Sequence, residues 1–398
     1  MCRDEGGYTL AELVVAIGVF AIVMTLTTLT FNRIVSTSSH LVRSEQTQIE
    51  GMIGLELLRI DLENAGLGLP WSYQTTGYAG YAEAQEGDND PDAFNEAFDG
   101  TAGQFMAPRA VLVRRGTGTG IKGADYLVLK GAALGMSRVA RRWSFLTYSS
   151  PLHAVVKPSR SESELYLGTD SGRVIALRDS VKNGVVSKEL VMQGSLFSFP
   201  YSKPLPVAYL PKNPQDRLVV YGVDPDTATP LTRPFNRADY FISTPDDLPA
   251  RCAKGTGRLS KMVLKQQGDA SGSQFTVFPL LDCVADLQVV VGLDTNGDGD
   301  IDLHTDDLMN VNEFDPRTIR EQVKEIRVYI LAQEGGRDPS FLYPVPDAEK
   351  AIVVGDEAEA PEQTRERKAS ELSATFGGDW RHYRWKIFRI VVQPKNLE

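Results

Sequence analysis

Gly6-Gly7-Tyr8-Thr9-Leu10-Ala11-Glu12-Leu13 opens an apolar run that continues to Phe31, and from Leu10 to Phe31 the only charge is Glu12. About 20 consecutive apolar residues are enough for a helix to cross the hydrocarbon core of a bilayer. One segment of this chain therefore inserts into a membrane, and everything after it is hung from that anchor. The residues ahead of the run, Met1 to Gly7, are short and polar. Their small residues precede the apolar core, whereas a secretory signal carries its cleavage site behind it.

Beyond Phe31 the pattern turns amphipathic with no Pro or turn cluster to break it. Ile49, Ile53, Leu57 and Ile60 recur at helical spacing, with Glu45, Glu50, Arg59 and Glu63 elsewhere on the surface, so the helix is expected to continue. Asn64-Ala65-Gly66, with Gly68 and Pro70, ends it. The element from about Thr9 to Glu63 would be roughly 80 Å long. Its first half serves a membrane, and its second half packs under a globular head. Thr25, Thr27, Thr28 and Thr30 form a stretch of low helix propensity, where the helix would loosen.

A small-residue site before an apolar helix with an acid five residues on resembles the class III leader of type IV pilins and pseudopilins. The resemblance implies that prepilin peptidase cuts after Gly7, that Tyr8 becomes the N-methylated first residue, and that Glu12 is the characteristic fifth mature residue. Tyr8 stands where the family usually has Phe, and Arg3 against Asp4 and Glu5 makes a less basic leader than usual. Independently of the resemblance, a carboxylate in hydrocarbon costs a few kcal/mol, less near a helix end. Once the leader is removed, the α-amino group of Tyr8, its own or a neighbouring subunit's, is the nearest cation for Glu12. Pairing with the neighbour would set the axial step between subunits. The alternative is a Glu12 at the headgroup level, bonded to water.

The full sequence has 398 residues and a formal net charge of -10. That length fits the helix plus one large or two moderate domains. The acidic balance argues against nucleic acid as a partner, because a phosphate backbone demands a basic surface. Cys2 leaves with the leader, so Cys252 and Cys283 remain as a pair outside the cytoplasm. A disulfide between them would close a loop of about 30 residues, worth roughly 3 kcal/mol; two buried thiols are the alternative.

Residues from Trp71 to Thr119 read as a long Gly/Asp/Pro-rich loop, including Gly87 to Asp92, interrupted by a strand at Ala110 to Arg114. Asp125 to Leu129 is the next strand. Between them, Gly118 to Gly123 spells GxGxxG, but a strand follows where a dinucleotide site needs a helix, which argues against that reading. Further strands are expected at Glu164 to Leu167, Arg173 to Leu177 and Arg217 to Tyr221. Short strands without a long helical pattern predict a mostly antiparallel head. The expected fold is therefore α+β, a long N-terminal helix on an antiparallel β-sheet head. Its parts are a leader at 1–7, a helix at 8–64 and a head at 65–398, with 72–235 as an elaboration.

From Ala238 onward, Asp239 to Ile242, Leu248 to Cys252, Pro279 to Val289, Gln322 to Val328 and the closing Tyr383 to Phe388 resemble the C-terminal half of PilW-type minor pilins. Within that region Asp294-Thr295-Asn296-Gly297-Asp298-Gly299-Asp300-Ile301-Asp302 starts like a calcium loop, with oxygens at alternating positions and Gly at the sixth. Position twelve is Thr305 instead of Glu, and the flanks read as strand. Asp294, Asn296, Asp298, Asp300 and Asp302, with Asp306 as an extra ligand, would hold calcium; the alternative is a solvated Asp/Gly turn.

His40, His153, His304 and His382 are scattered, and no catalytic pattern appears, so a non-enzymatic role is expected. The resemblance implies a structural minor pilin in a tip or priming complex of a type IV pilus. It would reside in the inner membrane with its head in the periplasm, and then move to the pilus tip. Its partners would be prepilin peptidase, other minor pilins, the major pilin and the inner-membrane assembly platform. A minor pseudopilin of a type II secretion system shares every N-terminal feature, and a membrane-anchored calcium-dependent adhesin is a further alternative.

Overall fold

The computed structural model describes residues 10–71, 81, 83–85, 91–96, 107–116, 123–136, 139–140, 142–148, 173–182, 185–194, 196–200, 207–223, 231–266 and 274–397. The expected strand at Glu164 to Leu167, Gly7, Tyr8, and most of the Gly118 to Gly123 stretch lie outside them.

In chain order the elements are the helix α1 (Leu10–Glu63), then β1 (Val111–Arg114), β2 (Tyr126–Gly131), β3 (Trp143–Thr147), β4 (Arg173–Lys182), β5 (Val185–Leu190), β6 (Ser198–Pro200) and β7 (Arg217–Gly222). There follow β8 (Asn236–Ser243), β9 (Gly257–Leu264), β10 (Phe275–Leu293), β11 (Leu303–Thr305), α2 (Pro316–Gln322), β12 (Val323–Glu334), β13 (Ile352–Val354), β14 (Arg365–Arg367), α3 (Ala369–Phe376) and β15 (Arg384–Val392). The main sheet runs β1-β2-β8-β9-β10-β12-β15, with β11 on β10, and every pairing is antiparallel. The α+β class expected from the sequence is what the chain adopts.

The 19-residue strand β10 is the spine of this sheet. Its first half pairs with β9, its second half with β12, and both ladders shift register around Cys283. Because a strand alternates its side chains, Leu287, Val289, Val291 and Leu293 join the core under α1, while Ala285 and Val290 enter a second core on the opposite face. That second face is covered by the β13–β14 hairpin, by α3 and by Trp380. Burial on both faces explains why β10 and β12 read as near-continuous apolar runs.

Within the 72–235 segment, β1 and β2 are built into the main sheet. Only Trp143 to Gly222 forms a separate five-stranded sheet, ordered β3-β7-β4-β5 with β6 on β4. One face of that sheet sends Ile175, Leu177, Leu190 and Tyr221 into the core beneath α1. Its other face closes over Phe199, Tyr209 and Leu218.

Candidate functional site: the N-terminal helix and its seat on the head

The helix α1 is continuous from Leu10 to Glu63. Leu10–Thr28 has a mean hydropathy of 2.3, and none of it is buried by the rest of the protein. Glu12 sits in the first turn of the helix, exposed and outside the head. Thr25, Thr27 and Thr28 do not interrupt the helix: their hydroxyls donate to the carbonyls of Ala21, Val23 and Met24 at 2.7, 2.8 and 2.8 Å. That back-bonding satisfies a polar group inside the helix itself.

At the head the helix presents a different face from the one its apolar spacing suggested. Gly51, Gly54, Leu55, Leu58, Asp61 and Leu62 are buried, whereas Met52 and Ile53 are 66% and 70% exposed and Ile60 also faces outward. The expected seam of Ile53 and Ile60 is therefore turned away from the sheet, with Leu57 partly buried at its margin. Two glycines allow the close approach. A Cβ on Gly51 would lie 2.9 Å from Leu281 Cδ1, and one on Gly54 would overlap the Leu280 carbonyl. Both contacts fall on β10 beside the register shift at Pro279/Leu281.

Asp61 fixes the helix chemically. It is fully buried and accepts hydrogen bonds from Tyr240 Oη on β8 and Lys261 Nζ on β9. The Lys261 ammonium also donates to the Leu134 carbonyl at 2.8 Å. Beyond the helix end, the C-terminal segment closes over it. Lys395 N donates to the Glu63 carbonyl at 3.2 Å, the Lys395 ammonium pairs with the Glu63 carboxylate, and Leu397 packs on Gly66. The sequence singles out none of Asp61, Lys261 and Lys395, while Glu63 reads as a surface residue and Gly66 as part of the helix stop. The signal that could have found them is an acid, Asp61, on the same face as Leu58 and Leu62, with small residues at Gly51 and Gly54.

Two more charge clusters brace the sheet. Glu83 bonds Lys130 at 2.9 Å and Arg237 at 3.0 Å, Glu96 bonds Lys130 at 2.7 Å, and Arg237 also bonds Asp239 at 2.7 Å, all buried. Burial alone would raise the Glu83 carboxyl, but the adjacent Lys130 and Arg237 outweigh it and hold the carboxyl below its ordinary range. On the opposite face Arg365 of β14 bonds Asp125 and lies 3.3 Å from Asp286, and Arg367 bonds Asp286 at 2.5 Å. Burial pushes the Asp125 carboxyl up to about 6, against Arg365 and the N–H groups of Val289 and Gly116.

The acidic loop after β10 closes on itself. Asp294 accepts from the N–H groups of Gly297 and Gly299 at 2.6 and 2.9 Å. Asp302 accepts from Thr295 N and Oγ1 at 2.9 Å and from the Asn296 side chain at 3.1 Å. Asn296 and Asp298 each accept an N–H two residues on. Gly297 and Gly299 have φ of 80° and 98°, which the turn needs and glycine permits. Asp306 is drawn away from the loop, 3.2 Å from Arg115 and 3.8 Å from Arg365. Among the described residues no group of three or more His, Cys, Asp or Glu side chains could hold a metal ion. As arranged, the oxygens of Asp294, Asn296, Asp298 and Asp302 are taken up by N–H and hydroxyl groups of the loop itself.

Cys252 and Cys283 form a disulfide. Cys283 is fully buried at the β10 register shift, with φ of 59°. The loop carrying Cys252 is tied to β12 through Gln333, which accepts from Ala253 N and donates to the Arg251 carbonyl, both at 2.7 Å.

Residues 2–28 match the prokaryotic N-terminal methylation motif. The chain therefore carries a class III leader of the type IV pilin kind, joined directly to an apolar helix suited to anchoring in a membrane. No curated protein and no solved structure matches the chain.

Proposed function

We propose that this protein is a minor pilin, cut by prepilin peptidase between Gly7 and Tyr8 and methylated at Tyr8. It is held in the inner membrane by α1 with its head in the periplasm, and then incorporated at or near the tip of a type IV pilus. The observation that carries the proposal is the methylation motif running into a single unbroken helix, whose Leu10–Thr28 part its own head leaves wholly uncovered. An apolar surface of that length needs lipid first and other helices later.

In this reading Glu12 docks on the amino terminus of a neighbouring subunit, either another minor pilin or the major pilin, as both leave the membrane on the assembly platform. A carboxylate at that depth is costly unless paired with a cation, and pairing it with the neighbour's amino group favours one axial step. The additional sheet from Trp143 to Gly222 enlarges the head. A tip position has no subunit stacked above it and tolerates that bulk.

Mass spectrometry of the mature protein tests the proposal: the expected N-terminus is methylated Tyr8, and a chain retaining Met1 to Gly7 refutes it. Glu12→Val should leave cleavage intact and lower entry into filaments; unchanged entry refutes the docking role.

A further inference from the structure

We infer that Pro344 to Gly377, which carries the β13–β14 hairpin and α3, is a lid that lifts from the second face of the main sheet as one unit while the sheet stays folded. The inference is independent of the filament reading. Strands β12 and β15 pair from Ile326↔Val392 to Glu334↔Arg384, and the lid is the excursion between them. Its ends meet in a neck. Tyr343 N donates to the Arg381 carbonyl at 2.6 Å, Asp338 N to the His382 carbonyl at 2.8 Å, and Arg381 Nε back to the Tyr343 carbonyl at 3.0 Å. Past the neck, the backbone of residues 344–376 hydrogen-bonds to no backbone group outside 344–377 among the described residues, because β13 and β14 pair only with each other and α3 bonds within the excursion.

The lid is fastened to the sheet through side chains. Arg365 donates to the Asp125 carboxylate and to the carbonyls of Gly123 at 2.8 Å and Leu287 at 3.3 Å, Arg367 bonds Asp286 at 2.5 Å, and Glu359 accepts from Arg327 of β12 at 3.3 Å. Ile352, Val354, Leu372 and Phe376 share a core with Val290, Tyr329 and Leu331, and this apolar burial favours the shut state. The seam is nevertheless incompletely joined. Gln288 donates to the Gln363 carbonyl, and Gln363 to the His304 carbonyl at 3.2 Å, yet Gln288 Oε1, Gln363 Oε1 and His304 Nε2 are buried with no hydrogen-bond partner. A buried polar atom left unpaired is costly, and lifting the lid hands all three to water. A cavity of about 40 Å³ also separates Ala285, Asp286 and Leu331 of the sheet from Arg367, Leu372 and Phe376 of the lid, so the apolar packing is not continuous either. Opening the seam therefore takes less free energy than tearing β10 and β12, each of which is ladder-bonded on both sides.

The borders of the lid suit such a motion. α3 ends at Gly377, with φ of 86°, and Gly378 follows; a Cβ on either would meet nothing within 4 Å, so this exit is free to change its torsions. On another side the lid closes against a fixed stop. A Cβ on Gly255 would lie 2.4 Å from the Thr375 carbonyl of α3, and the loop bearing Gly255 is tied to β10 through Cys252–Cys283 and to β12 through Gln333. That loop stays with the sheet when α3 leaves it. The opened state uncovers Val290, Tyr329 and Leu331, an apolar sheet face that the shut lid keeps from water.

The test labels single introduced cysteines with N-ethylmaleimide in the full chain in detergent, with Cys252–Cys283 oxidised and Cys2→Ser as background. Ala285→Cys and Val290→Cys probe the face under the lid, and Val289→Cys probes the opposite face of the same strand, under α1. The expected result is labelling at Ala285→Cys and Val290→Cys at least tenfold faster than at Val289→Cys, and unchanged by urea well below the unfolding midpoint. Arg365→Met together with Arg367→Met should speed labelling of Val290→Cys at least tenfold further and leave the rate of Val289→Cys as it was. Equal rates on the two faces, labelling under the lid that climbs with urea in step with Val289→Cys, or a Val290→Cys rate insensitive to the loss of both arginines overturns the inference. If the double-arginine variant does not fold, the comparison of the two faces with both arginines in place decides alone.

Discussion

Removing the charge of Asp61 is the sharpest probe of how the helix is held. In Asp61→Asn the side chain keeps its shape, but the buried Lys261 ammonium loses its carboxylate while it keeps the Leu134 carbonyl and the Met136 sulfur, the latter at 3.6 Å. Stripping one partner from a buried ion pair costs about 3–5 kcal/mol, most of it the isolation of the surviving charge. With a urea dependence near 3 kcal/mol per M, the unfolding midpoint of the detergent-solubilised full chain should fall by about 1 M or more. Asp61→Leu combined with Lys261→Met removes both charges at once and should recover most of the loss, since an apolar replacement of a buried pair is often near neutral. The cycle closed by Asp61→Leu, Lys261→Met and their double variant then gives a coupling of at least about 2 kcal/mol. An Asp61→Asn loss below about 1 kcal/mol, or a double variant equal to the sum of the singles, would refute this account of the seat.

Gly54→Ala should destabilise the head by about 1–3 kcal/mol in the same denaturation assay, because overlap with the Leu280 carbonyl outweighs the roughly 1 kcal/mol that Ala adds to an ordinary helix. Ile53→Ser, on the exposed face, should stay within about 0.5 kcal/mol. Asp125 titrates near 6 in the folded protein against an ordinary 3.8. The folded state thus binds its proton first, and the stability from this group, at most about 3 kcal/mol, is present below pH 4 and lost as pH rises through 6. Asp125→Asn should flatten the stability profile over that window. Reduction of Cys252–Cys283 should cost roughly 3 kcal/mol, read as a drop in melting temperature with dithiothreitol. Calcium titrated into the full chain decides between the two readings of the Asp294–Asp302 loop: a stoichiometric heat with a rise in Tm is the outcome for a cation site, and no heat and no rise in Tm is the outcome for a solvated Asp/Gly turn.

The long helix was legible because its apolar residues and its stop at Asn64 to Gly68 are local signals. So were β1, β2, β4 and β7, each written as a compact β-rich run. The helix face was not. Ile53, Leu57 and Ile60 satisfy the helical period, yet the sheet takes the neighbouring face, where Gly51 and Gly54 contribute closeness instead of apolar area and Asp61 contributes a charge. Periodicity records apolar surface and is blind to both. The cationic partners of Asp61, Glu83 and Asp125 stand 47 to 240 positions away along the chain, so no window of sequence contains them. The disulfide was legible by parity of cysteines. The acidic loop was read by spacing, which fixes the order of oxygens but not the point to which they turn.

The three holds on the helix come from separate parts of the chain: β10 at Leu280, β8 and β9 at Asp61, and the terminal residues Lys395 to Leu397 at its end. A pull along the rod is thus shared as sliding resistance among contacts that must give way together, whereas a sideways tug would free them one after another. The head is fastened to bear tension in line with its anchor.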